Sequence, residues 1–154
     1  MKIVKYFVLL MFLTLAACSP LALKPADFSW PVESVLEVGN DGYVKEDRHA
    51  LFFNTQNLFL EETEDSTAYL NKEVRLIRDA KGYYYITSDN FKNVYVFNVN
   101  NGELRLDNKI QISDTTGISK PAFNQRSPYI ELIEGGKQHL LTNDGLKNEE
   151  EDEE

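Results

Sequence analysis

Residues 93–106 read NVYVFNVNNGELRL, and their pattern decides the fold. Val94, Tyr95, Val96 and Phe97 form one apolar run of β-branched and aromatic side chains, which suits a pleated surface. Successive side chains of a strand point to opposite faces, so this run is apolar on both faces, as a buried central strand is. Asn100-Asn101-Gly102 follows, and glycine, or asparagine beside it, supplies the positive φ of a tight hairpin. Glu103–Leu106 reads as the returning strand.

Outward from that hairpin the signals stay those of strands. Short apolar or alternating runs occur at Val32–Val38, Tyr43–Glu46, Ala50–Asn54, Leu58–Glu61, Glu73–Arg78 and Tyr83–Thr87. They continue at Lys109–Ile112, Tyr129–Ile133 and Gln138–Thr142. Asn40-Asp41-Gly42, Ala80-Lys81-Gly82 and Glu134-Gly135-Gly136 punctuate them as further turns. No segment after residue 20 carries a long 3.6-residue apolar period, and Ser66–Asn71 has room for one helical turn. The expected fold is therefore all-β, an antiparallel meander closing into a small sandwich or barrel. The quoted stretch is locally similar to a propeller-blade hairpin. A propeller needs at least four blades of ~40–45 residues, however, and a chain of this length holds at most about three.

The ends differ from the middle. Lys2 and Lys5 precede Tyr6–Ala17, an uncharged and mostly apolar run. It is short of the ~20 residues that span a membrane and has the length of a signal-peptide core. Leu15-Ala16-Ala17-Cys18 then resembles the lipobox of bacterial lipoproteins. That resemblance covers about the first 20 residues. It implies cleavage before Cys18, diacylglycerol on its thiol and acylation of the new amino group. Cys18 is the chain's one cysteine, so no intramolecular disulfide is available, and lipidation accounts for the lone thiol. Two or more acyl chains make such anchoring stable, at ~0.8 kcal/mol per buried CH₂. Ser19 in place of Asp after the cysteine implies, by the family's sorting pattern, the outer membrane. The absence of a following acidic cluster points to a periplasm-facing position.

The expected organisation is a signal peptide over 1–17, the lipidated cysteine and a flexible tether over 18–27, one β-domain over 28–143 and a disordered acidic tail over 144–154. Trp30 beside Pro31 is expected to cap the end of the core. Glu149–Glu154 is a like-charge block with no hydrophobe. The chain of 154 residues carries a formal charge of −9. Without residues 1–18 and the terminal acids, 14 lysines and arginines still face 19 acids. A body of that sign is repelled by phosphates, so nucleic acid is excluded as a partner.

Chemistry is sparse. His49 and His139 are the two histidines, no HExxH spacing accompanies them, and no metal or cofactor is expected. No GxSxG, P-loop or GxGxxG occurs. Glu61, Glu62, Glu64 and Asp65 lack the alternating pattern of a calcium loop and read as a solvated acidic loop. Tyr83, Tyr84 and Tyr85 alternate, placing Tyr83 and Tyr85 on one sheet face, where they either fill the core or stack on a partner. The longest gap between strands, 113–127, reads SDTTGISKPAFNQRS. Its Lys120, Phe123, Asn124 and Arg126 are, with Tyr83 and Tyr85, the candidate partner-binding residues, because arginine and aromatics anchor interfaces. As a crossover connection the same gap would instead seat Phe123 in the core. No catalytic residue is assigned. The reading is a lipid-anchored envelope lipoprotein whose non-catalytic β-domain binds a protein or glycan; the alternative is a small envelope hydrolase acting on cell-wall glycan or peptide.

Overall fold

The computed structural model describes residues 32–147. Among these residues eleven strands and one helix follow in the order β1 (Ser34–Glu37), β2 (Tyr43–Glu46), β3 (Leu51–Asn54), α1 (Gln56–Thr63), β4 (Glu73–Arg78) and β5 (Tyr84–Ser88). Then come β6 (Asn93–Asn100), β7 (Glu103–Gln111), β8 (Ala122–Arg126), β9 (Tyr129–Glu134), β10 (Lys137–Thr142) and β11 (Gly145–Leu146). The strands build a five-stranded sheet in the order β1-β4-β5-β6-β7, a four-stranded sheet in the order β11-β10-β9-β8 and the β2-β3 hairpin. Every pairing is antiparallel, and the sheets do not close into a barrel.

The five-stranded sheet is the middle of three layers. On one face Ile77, Tyr85, Val94, Val96 and Ile110 pack against Phe123, Ile130, Leu132 and Leu141 of the four-stranded sheet. On the other, Val74, Leu76, Tyr84, Ile86 and Tyr95 lie under Phe59 of α1 and Val44 of the hairpin. This double cover explains the apolar run at residues 94–97. It also explains β5, the central strand, in which all five residues are buried. Each large apolar side chain so buried contributes about 1.5–3 kcal/mol.

The β6–β7 hairpin forms as expected, with Asn101 and Gly102 at φ +53° and +80°. The two runs read as separate strands, 103–106 and 109–112, are one strand, β7. Asp107 is the extra residue of a bulge where the register shifts opposite Val96 and Phe97. Glu103, Arg105, Asp107 and Lys109 are exposed along this edge strand, and such charge discourages further strand pairing.

Three expectations need correction. Leu58–Glu61 is not a strand but part of α1, whose single buried residue is Phe59. The helical turn expected at Ser66–Asn71 is a run of turns, and the helix lies one segment earlier. Residues 113–127 are not one long loop, since β8 occupies 122–126 as an edge strand with Phe123 buried. The folded part also passes the expected boundary at 143, because Leu146 pairs with Leu141. The signal peptide, Cys18, the tether, Trp30 and the run Glu149–Glu154 lie outside the described residues. Among the described residues no helix is long and apolar enough to cross a membrane.

Candidate functional site

The β4–β5 turn is organised by one carboxylate. Asp79 Oδ1 accepts the backbone N–H groups of Lys81 and Tyr83, both at 2.9 Å. Its Oδ2 accepts the Tyr85 hydroxyl at 3.1 Å. Burial, and then Asp79 itself, push the Tyr85 phenol well above its ordinary range, so it stays a protonated donor. The turn is thereby held rigid, with Arg78, Lys81 and Tyr83 around it.

Together with Asn98 and Val99 of the β6–β7 hairpin, these residues and Gly82 line a cavity of about 300 Å³. Lys81 Nζ donates to Asn143 Oδ1 at 3.2 Å, tying the turn to the β10–β11 connection. Asn98 Nδ2 donates to Asp107 Oδ1 at 2.9 Å, so the bulge residue orients this amide. Its carbonyl oxygen is then buried with no hydrogen-bond donor among the described residues.

Arg78 is the exception among the five arginines of the chain. Arg48 pairs with Glu46, Arg75 with Glu33, Arg105 with Glu103 and Arg126 with Glu131. Arg78 has no carboxylate partner among the described residues, and its guanidinium lies 5.4 Å from the Tyr84 ring centre. His49 meets the same ring edge-on at 5.5 Å. Burial holds the His49 imidazole below its ordinary value, the charges of Arg78 and Arg48 add to this, and Glu46 opposes them.

The residues singled out from the sequence fall in three places. Tyr83 and Tyr85 do share a face, but Tyr85 is core and only half-buried Tyr83 reaches the cavity. Phe123 is 6% exposed and belongs to the core, not to a contact surface. Its N–H is satisfied by Glu33 Oε1 at 2.8 Å. Asn124 and Arg126 lie on the opposite, outer face of β8, where both donate to Glu131, a carboxylate only 8% exposed. Lys120 is exposed, with its backbone N–H held by Asp89 Oδ1 at 2.9 Å. The structure therefore does not gather the candidate loop residues into one patch.

The acidic run is not a solvated loop, because Glu61 and Glu62 lie on α1 and Glu64 is its C-cap. Glu62 Oε2 accepts the Lys92 N–H at 2.7 Å, while its Oε1 accepts from Asn93 Nδ2 and the Tyr95 hydroxyl at 2.7 and 2.8 Å. Glu61 pairs with Lys109 at 2.6 Å. No group of His, Cys, Asp or Glu among the described residues is placed to hold a metal ion. His139 faces Glu134 at 3.4 Å.

Sequence reasoning passed over Arg78 and Asn98. They stand 20 positions apart on different hairpins, and only the β4-β5-β6 pairing brings them to one end of the sheet. Comparison with family models, with curated proteins and with solved structures finds no match to this chain.

Proposed function

We propose that this chain is a cell-envelope lipoprotein, acyl-anchored through Cys18 to the outer membrane and facing the periplasm. Its β-domain binds an envelope protein or glycan without transforming it. The anchor rests on the lipobox-like stretch Leu15–Cys18. The binding role rests on one observation, the cavity lined by the single arginine that no carboxylate among the described residues neutralises. An acidic body has 18 carboxylates within residues 32–147 to neutralise its arginines, and four of the five are so neutralised. Leaving Arg78 unmatched keeps a cation ready for a partner.

A photo-crosslinking side chain at Val99, which is 52% exposed on the cavity wall, tests this in cells carrying the full chain. A discrete adduct, lost on Arg78→Gln, is expected. An adduct pattern unaltered by Arg78→Gln, or none above that from the same probe at Leu70, would refute the assignment.

A further inference from the structure

Given that binding role, we infer that the Arg78 cavity takes an acidic saccharide: a hydroxyl-bearing ring carrying a single carboxylate, as in a uronic acid.

Three features of the cavity converge on this chemistry. Arg78 has no carboxylate partner among the described residues, and Lys81 brings a second cation whose ammonium donates to the neutral Asn143. Both favour an anionic group. A volume of about 300 Å³ stands at the low end of small-ligand pockets, enough for a ring and too little for a folded partner's loop. The half-buried ring of Tyr83 and the exposed Val99 supply an apolar wall for the face of that ring.

Two further observations narrow the charge and the shape. Asp79 stands in one of the two hairpins and Asp107 in the other, each orienting a lining residue. Carboxylates so placed repel a polyanion more than a monoanion, which argues against a phosphate dianion. The lining comes from two hairpin ends, not from a groove along a sheet edge, so it suits a compact ring better than an extended peptide.

The test is calorimetric titration of the full acylated chain in a non-ionic detergent, at low salt. The probes are glucuronate and galacturonate trimers, their methyl esters, sodium sulfate and the heptapeptide NEEEDEE, which repeats residues 148–154. At least one uronate trimer should bind saturably, with its methyl ester at least tenfold weaker. Arg78→Gln should weaken the uronate at least tenfold with an unchanged melting temperature. Sodium sulfate, which has no ring to lie on Tyr83 and Val99, should bind at least tenfold more weakly than that trimer. Binding of neither trimer would overturn the saccharide assignment, as would equal binding of ester and acid or of the peptide. Saturable uronate binding that survives Arg78→Gln would place the saccharide elsewhere and overturn it too. The Val99 crosslink does not depend on these ligands. An Arg78-dependent adduct with no uronate binding would reject the saccharide alone, and the absence of any adduct, or one that survives Arg78→Gln, would reject the cavity as the contact.

Discussion

Glu46 and His49 show how single residues set the pH response of the fold. Glu46 is 3% exposed, and burial alone would raise its pKa. The His49 N–H at 2.6 Å and the Ser34 hydroxyl at 2.9 Å outweigh that and hold it below the ordinary carboxylate value. His49 is also lowered, chiefly by burial. A group whose pKa is lower folded than unfolded contributes stability above its unfolded value and loses it as pH falls through the folded one. The melting temperature should therefore decline as pH falls below about 6.5, the ordinary histidine value, and decline further below about 4.5, that of glutamate. His49→Gln should flatten the first decline and leave the second. Calorimetric scans from pH 8 to 4 check this, and an unchanged upper limb in the variant would contradict it. Gly117 is packed directly against backbone. A Cβ there would stand 2.5–2.7 Å from the Asn90 backbone, while Ile118 and residues 90–91 exchange backbone bonds of 2.7 and 2.8 Å. Gly117→Ala should cost about 1–3 kcal/mol in denaturant unfolding, because the clash is with backbone that cannot rotate away.

At the scale of elements, α1 and β8 explain what the sequence hides. The helix buries Phe59 fully and Leu58 in part, and is otherwise joined to the sheet by polar groups, so no 3.6-residue stripe appears in Leu58–Glu61. Its docking depends on Glu62. Removing that carboxylate strips three donors of their acceptor, and bonds to charged groups are worth about 1.5–3 kcal/mol each. Glu62→Ala should thus destabilise by at least about 2 kcal/mol, while exposed Glu64→Ala stays within about 0.5 kcal/mol. Equal effects in urea unfolding would mean that the network does not hold the helix. In β8, only Phe123 is fully buried, and an edge strand of sequence AFNQR looks like a loop. The same element turns Arg126 from a free contact into the partner of buried Glu131. Arg126→Ala should accordingly lower stability by about 1 kcal/mol, read from the shift in urea midpoint. The strands that were legible, β6 and β7 above all, carry β-branched or aromatic runs and a turn whose chemistry is local.

For the whole molecule, three layers follow from one requirement, that residues 94–97 and all of β5 be covered on both faces. The all-β class was readable because that requirement is written locally in side-chain type. The cavity was not, because Arg78, Asn98 and Asp107 meet only through strand order and a bulge. Lipidation lies at the other extreme. It is proposed wholly from the order of charge, apolar run, small residues and cysteine over the first 18 positions. The envelope reading stands on that anchor, since the lipid would hold the Arg78 cavity among envelope glycans and proteins. The direct measurement is the intact mass of the chain recovered from the membrane fraction of the cells that make it, with fragmentation of its N-terminus. The expected result is a chain beginning at Cys18, its mass raised by a thioether-linked diacylglycerol and an amide-linked acyl group. An unmodified Cys18, inside the full 154-residue chain or one cut elsewhere, would contradict it.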